Sequence, residues 1–373
     1  MVDRLQFLRA MLPIVAVFFI SLLYGVCYLE KRCYCAIDAV KAVCAVLIVF
    51  IHTSPFESVN VQLNSFAVNY LARIAVPFFF ISSGFFLFCK TSADNPDMGI
   101  IGRYIKRILA MYLFWSAVYF PFTVLQMFYS GQSAFSVFIN WLKNMFFTAG
   151  YGVLWYLPAT AVAVGLVALM LKKGIKINTV AGIGFVLYLI GLCGQSYFGL
   201  FVKIPHSAFL GELVKKFYSV IVTTRNGVFE GIVFIALGAK ISQKENNGSF
   251  GAAIAGFCAS MILYSGEFLL VSKMKWRLEY DMYFCLIPCA YFLLKAAVTC
   301  KIKIKRTSLL RRYSSLIYFT HMLCAEICWI LTPVKNANSL IMFLIIFSST
   351  VLLDTAIIWA SQVKKFAFIK KFY

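Results

Sequence analysis

The sequence has little charge and no long polar stretch. Charged residues make up 13% of its 373 positions, and only 14 residues are acidic. A soluble domain is usually about a quarter charged and about half apolar, whereas 62% of this chain is hydrophobic. One globular core of this size cannot hide that excess, so it must face lipid. No polar region is long enough to fold as a separate soluble domain, and one membrane domain is the economical reading. Internal repeats are missing too. Inverted-repeat transporters show paired broken segments in their two halves, and the Pro and Gly interruptions here do not pair.

A disulfide or zinc framework is also lacking. Of twelve cysteines, most, such as Cys44, Cys89, Cys285 and Cys324, lie inside apolar runs, where a free thiol behaves as a small hydrophobe. Cys33 and Cys35 form a C-x-C with no second half nearby, too few ligands for zinc. No metal site is expected.

What the chain does have is apolar runs. About eleven are long enough to cross about 30 Å of hydrocarbon as helix: residues 11–29, 36–55, 69–89, 107–129, 153–171, 177–195, 226–240, 249–271, 280–297, 313–331 and 338–361. The run 226–240 is short, and 134–148 reads as interfacial or re-entrant. Helix is required because lone strands leave backbone groups unsatisfied in lipid. The fold expectation is therefore an all-α integral membrane bundle of about 11 transmembrane helices. Residues 11–29 compete with a signal-peptide reading. The run is long for an h-region and no A-x-A cleavage site follows it, which favours a span.

The net charge of +21 would suit nucleic acid on a soluble chain. Here the cations sit in short loops between apolar runs, as the positive-inside rule places them. Lys31 and Arg32; Arg103, Lys106 and Arg107; Lys172, Lys173 and Lys176; Lys240 and Lys244; the group from Lys301 to Arg312; and Lys364 to Lys371 all fall on one side by alternation. The loop 56–68 on the other side has no Lys or Arg. The expectation is a multi-pass cell-membrane protein with a cytoplasmic C-terminus and no nucleic-acid partner.

Ionisable residues inside a span are expensive, so each is a candidate for function. The span CAIDAVKAVCAVLIVFIHTSP carries Asp38, Lys41 and His52. Lys41 and His52 are about three turns apart on nearly one face, roughly 16 Å along the axis. Asp38, one turn below Lys41, is placed to pair with it. Imidazole is the side chain best matched to general base work near neutral pH. The next span, NYLARIAVPFFFISSGFFLF, has Arg73 near its outer start, suited to holding a carbonyl oxygen or a carboxylate. Its Pro77 removes a backbone donor, and Ser82, Ser83 and Gly84 allow close approach. GRYIKR supplies Arg103, Lys106 and Arg107, which suit phosphates as well as topology. TTRNGVFEGIVF places Arg225, Asn226 and Glu230 at a span start. RRYSSLIYFTHMLCAEICW places Tyr318 and His321 on one face. Trp155 and Tyr156 in GVLWYLPA read as belt aromatics or pocket residues. Glu230, Glu267, Glu326 and Asp354 are isolated acids that each need a partner.

Together these stretches resemble the acyltransferase family 3 membrane proteins, the family of bacterial O-antigen and wall-glycan O-acetyltransferases. The carriers are IDAVKAVCAVLIVFIH, RIAVPFFFISSGFFLF, RYIKRILAMYLFW, VLWYLPA, RNGVFEGIVFIALG and YSSLIYFTH. VPFFFISSGFF and TRNGVFEG are similar in wording to the membrane half of vancomycin-type serine racemases. The resemblance implies a ten-helix core over 36–373, with 1–35 as an added N-terminal transmembrane segment. It implies a catalytic histidine at His52, separated by ten intervening residues from a basic residue at Lys41, and a site arginine at Arg73. It implies acetyl-CoA from the cytoplasm as donor, with no resident cofactor, and a sugar hydroxyl of an extracytoplasmic glycan or other envelope component as acceptor. Arg103, Lys106 and Arg107 would bind the donor. Ser83, Trp155, Tyr156, Arg225, Asn226, Glu230, Tyr318 and His321 are candidates for the acceptor pocket. The histidine often found before Leu-Trp in the family is Val153 here. The rival expectation is a transporter or flippase of a small polar molecule such as serine.

Overall fold

The computed structural model describes residues 34–129, 133–147, 149, 151–203, 223–243, 248–304, 306–332 and 338–373. The expected span 11–29 lies outside the described residues. Among the described residues there is no strand. The helices are α1 (Cys35–Thr53), α2 (Val61–Phe88), α3 (Met98–Tyr129), α4 (Ala134–Phe147), α5 (Gly152–Lys172), α6 (Ile177–Leu192), α7 (Ile232–Gln243, entered through a π turn at Gly227–Gly231), α8 (Phe250–Met274), α9 (Leu286–Thr299), α10 (Thr307–Leu331) and α11 (Ser339–Ala360). A 3-10 segment, Lys364–Phe372, follows.

Each apolar run read within the described residues coincides with a helix. Seven of these helices, α1, α2, α3, α5, α8, α10 and α11, are long and apolar enough to cross a membrane. The runs 177–195 and 280–297 form the shorter apolar helices α6 and α9. The chain is thus a helical, multi-pass membrane protein, with seven rather than eleven helices meeting the crossing criterion among the described residues.

Helix starts differ from the hydropathy reading because polar caps set them. α2 begins at Val61 because the Asn60 side chain accepts the Leu63 N–H. α3 begins at Met98, not 107, because the Asp97 carboxylate accepts the N–H groups of Gly99 and Ile100. Orphan N–H groups at a helix start need such acceptors. GRYIKR therefore lies within the first turns of a helix, with Arg103, Lys106 and Arg107 exposed, rather than in a loop before one.

The chain divides into two compact units, residues up to Ala75 with Ala297–Tyr373, and Val76–Ala296. In the first unit α10 packs on both α1 and α11, and α1 also packs on the Leu71–Ile74 stretch of α2. In the second, α5 packs on α3 and on the Gly227–Gly231 turn, and α6 packs on α7. Glycine permits close approach around this turn and along α7. A Cβ on Gly227 would overlap the Ala159 carbonyl oxygen, one on Gly238 the Ile81 carbonyl oxygen, and one on Gly231 would stand 2.7 Å from the Ala163 Cβ. The RNGVFEGIVFIALG stretch is thus a close-packing seam of small residues.

Candidate active site

In the first unit the polar residues of α1 point to its two ends. Asp38 is fully buried, and its carboxylate receives both the Nε (3.2 Å) and the Nη2 (2.8 Å) of Arg311 on α10. Sequence reasoning paired Asp38 with Lys41 on the same helix. Asp38 does act on the Lys41 charge, and its bidentate partner is Arg311, whose planar fork on a facing helix meets both carboxylate oxygens. Lys41 stays on α1 in a partly buried position.

His52 occupies the last turn of α1. The chain then turns sharply at Ser54, which is left-handed (φ 45°), and the loop beyond is tied down. Ser58 and Ser339 exchange hydrogen bonds (2.9–3.0 Å), Ser339 Oγ donates to the Pro55 carbonyl (2.9 Å), and Phe50 packs edge-on against Phe343 at 5.0 Å. These contacts fix the end of α1 against the start of α11.

His321 on α10 faces His52, with ring centroids 5.3 Å apart and planes at 39°. His321 is fully buried. Its Nδ1 is 2.7 Å from the Ile317 carbonyl. A carbonyl only accepts, so Nδ1 carries the hydrogen and Nε2 holds the lone pair. That Nε2 is buried with no hydrogen-bond partner among the described residues. Beside it, Thr320 donates to the Asp354 carboxylate on α11 at 2.7 Å, and both are fully buried. Tyr318, one turn before His321, is partly exposed and packs edge-on against Phe319.

Arg73 lies where α2 is least regular. A π turn (Phe66–Tyr70) is followed by a 3-10 stretch (Leu71–Ile74) before α-helix resumes. Pro77 cannot donate to the carbonyl four residues earlier, that of Arg73, and π turns are frequent at functional sites. The guanidinium folds back along its own helix, with Nε donating to Val68 O (3.1 Å) and Nη2 to Asn69 Oδ1 (3.3 Å).

The second unit carries the other candidates. Ser83 Oγ and Tyr156 Oη are 3.1 Å apart, and Tyr156 packs on Phe80 at 4.7 Å. Arg225 lies over the Trp155 ring at 4.8 Å and forms a 2.8 Å ion pair with Asp281. Trp155 and Tyr156 are therefore partly buried contact residues, not a belt facing lipid. Asn226 caps the π turn, accepting the N–H groups of Val228 and Phe229, and Glu230 within that turn is fully buried. Arg103, Lys106 and Arg107 are exposed on α3.

Sequence reasoning missed Arg311, Asp281 and the Thr320–Asp354 pair. It left the partner of Glu267 open. That carboxylate accepts from Tyr197 Oη (2.7 Å) and from the backbone N–H groups of Phe284 (2.6 Å) and Cys285 (2.8 Å), so it caps α9 instead of meeting a cation. Among the described residues no group of three or more His, Cys, Asp and Glu is gathered as a metal site would need.

Packed membrane helices with two imidazoles in contact on α1 and α10 define a multi-pass membrane protein with a built polar site. The chain belongs to the acyltransferase family whose conserved unit is described as an acyltransferase domain, matched here over residues 35–359. It is similar to two proteins of Enterococcus faecalis named amino-acid racemase, at 28% identity over 88% of this chain and 45% of the relative, and at 30% over 83% and 44%. It is also similar to a serine/alanine racemase of Enterococcus gallinarum, at 28% over 61% of this chain and 32% of the relative. The chain spans less than half the length of these relatives. No solved structure matches it.

Proposed function

We propose that the protein is a membrane O-acyltransferase that moves an acyl group, acetyl in the first instance, from acyl-CoA to a hydroxyl of an extracytoplasmic glycan or other envelope acceptor. The observation that carries this reading is the contact between the His52 and His321 imidazoles within a chain that matches an acyltransferase family over most of its length. Imidazole is the group that moves protons near neutral pH, and acyl transfer to a hydroxyl requires that proton to move. His52 is the catalytic imidazole of this reading, one of the groups that move that proton. Arg73 stabilises the developing oxyanion or holds the acceptor. Arg103, Lys106 and Arg107 take the donor phosphates. Asp38 and Lys41 act at the other end of α1, where the Asp38–Arg311 pair keeps that helix in register. Ser83, Trp155, Tyr156, Arg225, Asn226, Glu230 and Tyr318 remain proposed acceptor-binding residues. O-acetyl groups on purified envelope glycans should rise in cells that make the protein and stay at background in cells that do not. Equal O-acetyl content would overturn the reading.

The racemase names of the relatives support one second reading, in which the membrane part passes a small amino acid such as serine. Under that reading, labelled serine enters vesicles carrying the protein in the absence of any CoA thioester. The acyltransferase reading predicts no such uptake.

A further inference from the structure

His321 entered the sequence reading as a pocket residue, yet its surroundings suit a more demanding task. Three observations converge on it. Its Nδ1–H is spent on the Ile317 carbonyl at 2.7 Å, which fixes the tautomer. The opposite nitrogen, Nε2, is fully buried and has no hydrogen-bond partner among the described residues. The ring stands 5.3 Å from that of His52. A buried acceptor without a donor is costly, and a catalytic role is one reason for a structure to keep it. A lone pair in this state accepts a proton from a donor brought to it, such as a hydroxyl.

His52 differs in burial and in its place on the helix. It is only partly buried, and it sits in the last turn of α1, where the negative end of the helix dipole accommodates a positive charge. The two imidazoles therefore occupy unlike environments, the usual arrangement when one group acts as base and its neighbour as acid.

We infer that His321 is a second catalytic residue, the general base, and that His52 is the general acid of the same step. This rests on the acyltransferase reading above and assigns the proton transfers within it. The acceptor O–H gives its proton to His321 Nε2 as its oxygen bonds to the thioester carbonyl carbon. The tetrahedral intermediate collapses, the C–S bond breaks, and the leaving thiolate takes a proton from the His52 imidazolium. Proton transfer from His321 to His52 then restores both rings. One hydroxyl and one thioester become one ester and one thiol, with no net proton consumed.

The test uses membranes carrying the full chain, labelled acetyl-CoA, and the His321→Asn variant. Asparagine can keep an N–H near the Ile317 carbonyl but has no basic nitrogen at the Nε2 position. Transfer of label to envelope acceptor should fall at least 100-fold in kcat, as expected for loss of a general base, with KM for acetyl-CoA unchanged. His321→Ala should recover activity when imidazole is added. His321→Gln serves if His321→Asn does not accumulate in the membrane, with the same expected loss. The inference is overturned if the folded Asn or Gln variant keeps more than about a third of wild-type kcat, or if KM rises while kcat holds. Wild-type transfer with an active His321 variant would sink only the inference. Absence of transfer by the wild-type protein would sink the acyltransferase reading and the inference with it.

Discussion

The Asp38–Arg311 pair gives the sharpest stability prediction, because its two partners are buried so unequally. The Asp38 side chain is 1% exposed and that of Arg311 is 62% exposed. Removing the arginine leaves a buried carboxylate without its two guanidinium donors. Removing the acid leaves an arginine that already reaches solvent. Stranding one partner of a fully buried pair costs about 3–5 kcal/mol, and the exposure of Arg311 argues for the lower end, so Arg311→Ala should cost about 3 kcal/mol. Asp38→Asn keeps the shape and one acceptor, and should cost about 1 kcal/mol. In the double variant neither member of the pair is left facing an absent partner. The double should therefore be close to Asp38→Asn alone, a coupling of about 3 kcal/mol. At about 2–4 °C per kcal/mol, the Arg311→Ala midpoint in detergent should fall by roughly 6–12 °C. The assay is fluorescence-detected size exclusion after heating, run on all four proteins. Equal losses for the two single variants, or a double variant as weak as the sum of both, would refute the reasoning.

Other sites make independent predictions. Glu267→Gln turns an NH2 group toward one of three donors that now meet a carboxylate, and should destabilise the protein by about 2 kcal/mol, read as a lower melting midpoint in the same assay. Gly238→Ala should force α7 away from α2, because the new Cβ overlaps the Ile81 carbonyl oxygen; a loss of about 3 kcal/mol or of the folded peak is expected. Gly182→Ala on α6 meets nothing within 4 Å, and should leave the midpoint unchanged or slightly raised. Ser339→Ala removes the three hydrogen bonds made by its hydroxyl between the His52 loop and α11 and leaves the one from its backbone N–H to Ser58 Oγ. It should cost about 1 kcal/mol and raise protease sensitivity within residues 54–60.

Apolar runs announced the helices, because a lipid-facing helix must be apolar along its whole length. Their starts were hidden, because Asp97, Asn60 and Glu267 act through hydrogen bonds that hydropathy does not register. Glu267 shows this most clearly. It looked like a stranded acid in α8, and its donors come from Tyr197 and from the backbone just before α9. Asp38 and His52 were legible as costly residues on a helix. Their partners Arg311 and His321 were not, since both lie on α10, far along the chain. Arg311 in particular was absorbed into the topology signal of a basic loop. The irregular backbone at Arg73 was half legible, as Pro77 signals a missing donor but not a π turn.

The central claim is tested most directly by label transfer from acetyl-CoA to envelope material in membranes carrying either the unaltered chain or His52→Ala. The account predicts acceptor-bound label with the unaltered chain and at least a 100-fold slower rate for the variant. Equal rates from the two, with the variant folded in the membrane, would contradict it.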